Sequence, residues 1–223
     1  MASGPGSVRK RCDAAIAWLR ARGTKANVDG MARYGIVANR PLGVSVGTIR
    51  DYSKEVGKDH ALAEALFTSG WYEARHLAAF VGEPGKLTEA QMNRWARSFE
   101  NWADCDGICF HLFDKSPLAW GRVRAWSAKK GEFEKRAAFA LLASLALHDR
   151  KTPDAPFLKT LPLIARGAKD ERNFVKKAVS WALRGIARRN PKLRAESVKL
   201  AKRLAASTHP AERWVGKDVL RQV

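Results

Sequence analysis

Hydrophobic residues recur every three or four positions along nearly the whole chain, while the alternation expected of a half-buried β-strand is almost absent. This spacing predicts α-helices, because about 3.6 residues per turn place such positions on one face. Proline and glycine interrupt the pattern, for example at 83–85, 116–117 and 190–191, and such interruptions predict helix ends. The predicted helices cover residues 7–22, 27–35, 45–56, 59–69, 71–81, 88–100, 103–113, 117–126, 131–148, 155–167, 171–189, 192–206 and 209–220.

Successive predicted helices are similar in length and are joined by short polar links. Such helices pack as antiparallel pairs, and stacked pairs share a core that no single pair could bury. We therefore predict an all-α fold in which antiparallel helix pairs form a superhelical array, an α-solenoid, with a basic concave face. A globular helical bundle is the alternative. Residues 1–6 are predicted to be a disordered or vector-derived tail, and residues 7–223 a single domain.

The charge of the chain is strongly positive. Lysine and arginine number 41 against 22 acidic residues, which gives a net charge of +19. Residues 171–223 alone hold 14 basic and 4 acidic residues, a net of +10, so over half of the excess lies in the last quarter of the chain. Nucleic acid is the commonest partner of so basic a domain, and we expect this quarter to contact it.

The sequence also bears on location. No apolar run reaches the roughly 18 residues that a membrane-spanning helix needs, and the longest, residues 137–147, fits a buried helix. The first residues lack the apolar core of a signal peptide, and the three cysteines form no paired framework. We therefore expect a cytoplasmic protein, nucleoid-associated if its source is prokaryotic, that binds no membrane. A monomer is the expected state, a separate prediction that these features do not derive.

The predicted helix at 171–189 combines a cationic stripe with a tryptophan. Spacings of 4, 3 and 4 place four residues on one side, namely Lys177, Trp181, Arg184 and Arg188. The opposite side is apolar and contains Val175, Val179, Ala182 and Ile186. Two interpretations are open: Trp181 packs against a neighbouring helix, or its ring lies among phosphate contacts made by the three basic residues.

The segment NWADCD, residues 101–106, places acids among this positive charge. Trp102 and Asp106 are four positions apart, so they share one side of a helix that begins near them. A purely structural interpretation is that Asp104 and Asp106 are first-turn acids favoured by the helix dipole, and that Trp102 packs on the preceding helix.

The same predicted helix has an apolar face next to this side, and that face contains Cys105, Ile108, Cys109 and Leu112. The pattern C-x-x-x-C-x-H, which ends at His111, raises the possibility of a zinc site. Tetrahedral zinc needs a fourth ligand, which this pattern lacks, and both cysteines fall on the apolar face. We therefore predict no metal site.

Six segments stand in order along the chain: MARYG (31–35), LGVSVGTIRDYSKEV (42–56), WYEARHLAAF (71–80), NWADCD (101–106), EFEKRAAFALL (132–142) and FVKKAVSWALRGIARRNP (174–191). In that order they resemble the signatures of the DNA alkylation repair family, the HEAT-like-repeat alkylpurine DNA glycosylases. Because the six segments span most of the chain, the resemblance is more specific than any single motif. It implies that the predicted array consists of HEAT-like repeats.

The resemblance also implies roles for individual residues. The family's catalytic carboxylate closes a W-x-x-x-D motif, which here falls on Trp102 and Asp106. A basic residue of a K/R-R-A-A segment matches Arg136, and the aromatic residue of an A-x-x-W-x-L-R segment matches Trp181. Tyr34 is similar to a tyrosine that the family places near the DNA.

The implied activity is hydrolysis of the N-glycosidic bond of alkylated purines in double-stranded DNA. Alkylation at N3 of adenine or N7 of guanine makes the base cationic, so it can leave without a general acid, and no cofactor is expected. The resemblance implies that Asp106 stabilises the oxocarbenium-like sugar and aligns water. Trp102 and Trp181 would flank the deoxyribose, and Arg136 would hold a phosphate. Ala103 departs from the family, whose members often have a second acid there, so no role of that acid carries over.

Two rival classes stay open, because a fold can lose its chemistry and keep its binding. The first is a noncatalytic HEAT-like DNA-binding protein. The joint presence of Trp102, Asp106, Arg136 and Trp181 argues against it, since phosphate binding needs no such acid. The second is a protein-interaction module whose basic charge serves an acidic partner, which competition with duplex DNA would test.

Overall fold

All regular structure in residues 5–223, the part of the chain that the computed structural model describes, is helical. These residues form fourteen α-helices: α1 Pro5–Arg20, α2 Lys25–Met31, α3 Val46–Val56, α4 His60–Thr68, α5 Tyr72–Val81, α6 Glu89–Arg97, α7 Trp102–His111, α8 Ala119–Ser127, α9 Glu132–His148, α10 Asp154–Leu158, α11 Leu161–Gly167, α12 Asn173–Ala187, α13 Pro191–Ala205 and α14 Pro210–Leu220. The helical interpretation of the hydrophobic pattern is confirmed.

Several predicted helix ends differ from the structure by a few residues, and two of the differences change a prediction. The single helix predicted at 155–167 is two helices, α10 and α11, separated at Lys159 and Thr160. Pro162 explains the break, because it has no N–H to donate to the carbonyl one turn earlier. At the other end of the chain, Pro5 and Gly6 belong to α1, so the helix begins inside the predicted tail, of which residues 1–4 lie outside the described residues.

The described helices form two compact units, one that ends at Ser116 and one that spans Pro117–Val223. In the first unit α5 packs on α3, α4 and α7, and in the second α9 packs on α8 and α12. Their charges differ: residues 1–116 hold 16 basic and 13 acidic residues, a net of +3, whereas residues 117–223 hold 25 and 9, a net of +16. One domain over residues 7–223 stays a prediction.

Helix α5 carries ionisable side chains into the interior of the first unit. Nine of its ten residues are buried, among them Glu73, Arg75 and His76. The Glu73 carboxylate accepts hydrogen bonds from the backbone N–H groups of Leu42 and Gly43, at 2.8 and 2.6 Å. Because buried polar groups are costly unless they are paired, the paired Glu73 carboxylate holds residues 42 and 43 in a defined place.

The second unit has an aliphatic core. Helix α9 is buried without interruption from Arg136 to Ala146. The side of α12 that was predicted to be apolar is fully buried, with 0% exposure at Val175, Val179, Ala182 and Ile186. The amphipathic interpretation of α12 is therefore confirmed, and the cationic stripe lies on its other side.

Candidate functional site

Helix α7 begins at Trp102 because Asn101 caps it. The Asn101 side chain, only 2% exposed, accepts hydrogen bonds from the N–H groups of Ala103 and Asp104, both at 3.0 Å. With this start, Asp104 lies in the first turn of the helix and Asp106 lies beyond it. The helix dipole acts mainly within the first turn, so it accounts for Asp104 and not for Asp106.

Asp104 is paired inside the first unit. It is 0% exposed, and its Oδ2 lies 2.7 Å from Nη1 of Arg75. Arg75 also donates to the Ser98 carbonyl at 3.0 Å and lies 3.5 Å from the Glu100 carboxylate. Burial raises the pKa of Asp104 to about 6, although the Arg75 cation acts in the opposite direction. The pair ties α7 to α5, and its only sequence signal was an ionisable residue, Arg75, within a helix that is mostly apolar.

Asp106 has a different environment from Asp104. It is partly exposed, as is Trp102, which lies one turn before it on the same side of α7. The indole Nε1 of Trp102 donates to the backbone carbonyl of Tyr34 at 2.9 Å, while the Tyr34 side chain is 72% exposed. The structure thus brings together three predicted site residues of the first unit.

The remaining side of α7 packs tightly on α5. Cys105, Ile108, Cys109 and Leu112 are all 0% exposed, as the predicted apolar face requires. Gly107 allows the close approach, since a Cβ there would lie 3.0 Å from Nδ1 of His76. Burial lowers the pKa of His76 to about 4, so its ring is neutral at physiological pH. Within the described residues, no group of three or more His, Cys, Asp or Glu side chains could hold a metal ion.

In the second unit, a cavity of about 340 Å³ brings together four of the predicted site residues. Its lining consists of Arg136, Lys177, Trp181, Arg184, Trp214, Asp218 and Gln222. The last three were missed from the sequence, although their spacing of four residues, in α14 and just after its end, could have indicated a shared helix face. Trp181 lines the cavity and is only partly exposed.

Arg136 is anchored at this cavity by α12. Its side chain is 6% exposed, and Nη1 donates to the Phe174 carbonyl at 2.5 Å. The guanidinium carbon lies 6.0 Å from the centroid of the Phe174 ring. A guanidinium fixed in this way loses little conformational freedom when it binds a phosphate.

Asp218 organises the cationic side of the cavity. It accepts a hydrogen bond from Ser180 Oγ at 2.5 Å and pairs with Arg221 at 2.9 Å. Burial opposes its ionisation, but the Ser180 and Arg221 hydrogen bonds and the charge of Arg184 lower the pKa of Asp218 below its ordinary value. Arg184 also donates to the Gln222 side chain. Arg184 is thereby held in place at the cavity.

Two further basic residues of the α12 stripe are exposed. Lys177 lines the cavity, and Arg188 lies beside it, with Nη2 at 3.4 Å from the Gln222 carbonyl. Asp218 is the only acid in the cavity lining, which contains three basic side chains. The excess of positive charge favours an anionic partner such as a phosphate.

Every helix in the described residues is too short or too polar to span a membrane.

Comparison with known proteins supports the fold. A search of curated proteins found no match. The similar solved structures include one that matches over 94% of this chain and 94% of its own, with a TM-score of 0.76 and 19% sequence identity. It is described as a new family of proteins related to the HEAT-like repeat DNA glycosylases, with affinity for branched DNA structures.

At 19% identity this similarity is one of fold, and it confirms the prediction of an all-α, HEAT-like repeat architecture. The basic concave face stays a prediction. The family model described as DNA alkylation repair enzyme matches residues 15–212, which is most of the chain. The protein therefore belongs to the DNA alkylation repair enzyme family.

Proposed function

We propose that the protein is a DNA glycosylase that removes cationic alkylpurines, N3-alkyladenine and N7-alkylguanine, from double-stranded DNA. The observation that carries the proposal is the contrast between two acids of one helix. Asp104 is buried and paired with Arg75, whereas Asp106 is partly exposed one turn after Trp102. Asp104 therefore has a structural role inside the first unit, whereas Asp106 reaches solvent on the side of α7 that carries Trp102.

The proposed reaction uses the charge of the lesion. An alkylated purine leaves as a neutral base, so positive charge moves onto the deoxyribose as the bond lengthens. The Asp106 carboxylate stabilises this charge and aligns the water that attacks the sugar. The indole of Trp102 favours cationic character beside its face and helps to exclude water, which strengthens the field of the carboxylate.

Binding is assigned mainly to the second unit, which has a net charge of +16 from 25 basic and 9 acidic residues. We assign Arg136, Lys177, Arg184 and Arg188 to phosphate contacts and Trp181 to a deoxyribose. In the first unit we assign Tyr34 to a DNA contact. Phosphate contacts position a protein on DNA without reading its sequence, which suits an enzyme that must find lesions in any context.

The decisive experiment is single-turnover excision of 7-methylguanine from a defined duplex, with abasic sites as the readout. Asp106→Asn should slow excision by about 10²–10³-fold, since it removes one well-placed electrostatic group. Its affinity for undamaged duplex should be unchanged or slightly higher, because an anion beside a polyanion has been removed. Asp51→Asn is the matched control, since Asp51 is an exposed acid of α3 whose partner is Lys54.

Two outcomes would contradict the proposal. The parent protein could release no cationic purine, or Asp106→Asn could release it as fast as the parent does. Either result would favour a noncatalytic DNA-binding protein, for which one observation speaks: the similar solved structure has affinity for branched DNA. Tight binding to a junction without excision of 7-methylguanine would establish that alternative.

A further inference from the structure

A groove runs between α11 and α13 in the second unit. Its first part, with a volume of about 500 Å³, lies between α11 and α13, and both Ala165 and Arg203 line it. Its second part, of about 450 Å³, is lined by the same two residues and continues to Ser207 and Glu212, where α14 begins. Because the two parts share both walls, they form one continuous groove.

The groove has the length of a short helix. Its lining residues on the α13 side follow the helical repeat and share one side of the helix, namely Glu196, Lys199, Leu200, Arg203, Leu204 and Ser207. At 1.5 Å per residue this stretch is about 16 Å long, or about three turns. On the α11 side, Leu161 lies at the Glu196 end and Lys169 at the Ser207 end. Two helices that run in the same direction therefore form the walls.

The floor of the groove is apolar. Leu200 and Leu204 are 7% and 3% exposed, and Leu161 and Ala165 are partly exposed. Such a floor accepts the apolar face of an amphipathic helix, whereas duplex DNA presents mainly phosphates and sugars to a protein surface. Neither α11 nor α13 contributes a residue to the cavity that contains Trp181. The groove is therefore a different surface from the one to which we assign DNA.

Basic side chains border the groove on both walls. They are Arg166, Lys169, Lys199 and Arg203, and all four are exposed. Within residues 5–223, none of the four forms an ion pair. The two acids of the lining lie at its ends, Glu196 at one and Glu212 at the other, and Glu212 accepts a hydrogen bond from Ser207. The middle of the groove thus combines an apolar floor with positive edges.

We propose that this groove binds an acidic amphipathic helix of a partner protein. Apolar side chains of the partner occupy the floor, and its carboxylates lie against the basic edges. A second copy of this chain does not match the groove, since a net charge of +19 makes two copies repel each other. Because the Trp181 cavity stays uncovered, the partner and DNA bind at the same time. The inference goes beyond the proposed excision reaction and does not depend on it.

The test uses a fluorescein-labelled synthetic peptide of about three helical turns, with leucines every three or four positions and glutamates between them. Fluorescence anisotropy should show that it binds at least about tenfold more tightly than a scrambled peptide of the same composition, because only the ordered peptide presents its leucines on one face. The assay is run at about 0.15 M salt, which screens charges more than about 8 Å apart. Under these conditions saturating duplex DNA should weaken peptide binding by less than about threefold.

Two variants locate the peptide in the groove. Arg203→Glu should weaken its binding by at least about fivefold, because an attractive charge at the edge becomes repulsive. Arg194→Glu is the matched control, since Arg194 is also exposed in α13 but lies nine residues earlier, on the opposite side of the helix. Ala165→Glu, which places an acid at the centre of the groove, should abolish binding. If Ala165→Glu lowers the melting temperature, the comparison of the two arginine variants decides.

Several results would overturn the proposal. Equal binding of the ordered and scrambled peptides, or no binding of either, would exclude recognition of an amphipathic helix. Displacement of the peptide by duplex DNA, or equal losses in Arg203→Glu and Arg194→Glu, would place the peptide elsewhere. Sedimentation that shows a dimer of the parent and a monomer of Ala165→Glu would assign the groove to a second copy. Excision of 7-methylguanine should be unchanged in Arg203→Glu, so this proposal and the glycosylase proposal fail separately.

Discussion

The buried pair of Arg75 and Asp104 makes a quantitative prediction about how α7 is held. Arg75→Met keeps the aliphatic length of the side chain and removes the guanidinium, which lies 2.7 Å from the Asp104 carboxylate. Asp104 is 0% exposed, so the change leaves a buried carboxylate without its cation. Removal of one partner of a buried ion pair costs about 3–5 kcal/mol of stability. For a chain of this size we expect the melting temperature to fall by about 6–20 °C.

The pH dependence follows from the protonation of Asp104. In the parent, burial raises its pKa from 3.8 to about 6 while Arg75 lowers it. Arg75→Met removes the lowering influence, so the folded-state pKa rises further above the unfolded value. As the pH rises, folding loses stability until the folded-state carboxyl ionises. In the parent this loss ends at about pH 6, whereas in the variant it continues at higher pH. The difference in stability between them should therefore widen from pH 6 to pH 8.

Urea denaturation at pH 5.5 and pH 8 measures this difference. Arg94→Met is the control, because Arg94 pairs with Glu64 at 2.6 Å but its side chain is 51% exposed, and such pairs contribute about 0–1 kcal/mol. The role of the Arg75–Asp104 pair in holding α7 would be refuted by either of two results. Arg75→Met could lower the free energy of unfolding by no more than Arg94→Met does, or by the same amount at both pH values. If Asp106 is catalytic, Arg75→Met should also slow excision, since the pair positions its helix.

Two further predictions concern the cavity of the second unit. Lys177→Glu should weaken binding to all duplexes alike and flatten the slope of log K against log salt, because a phosphate contact is lost. An unchanged slope in a salt titration would show that Lys177 makes no phosphate contact. Trp181→Ala should slow excision of 7-methylguanine while lowering stability by less than Trp95→Ala, whose fully buried indole is expected to contribute about 3–5 kcal/mol. Calorimetry that shows equal losses for the two tryptophans would support packing as the role of Trp181.

Local sequence signals determined most of the helical architecture. The apolar positions of α12 predicted its buried side, and Val175 and Ile186 are both fully buried. Asn101 starts α7 beside Trp102, close to the predicted boundary. These features depend on residues within a turn or two of one another, where spacing and capping chemistry are visible in the sequence. The ordered segments likewise pointed to the family that residues 15–212 match.

Tertiary structure alone showed which residue pairs with the first acid of NWADCD, Asp104. From the sequence, Asp104 and Asp106 could both have been first-turn acids. Only the packing of α7 on α5 shows that Arg75, 29 residues earlier, takes Asp104 as its partner. The same is true of Tyr34, whose carbonyl is bound by Trp102 from 68 residues away. Side chains so far apart in the chain meet because helices bury their apolar faces together, and no local pattern records which polar groups that burial brings into contact.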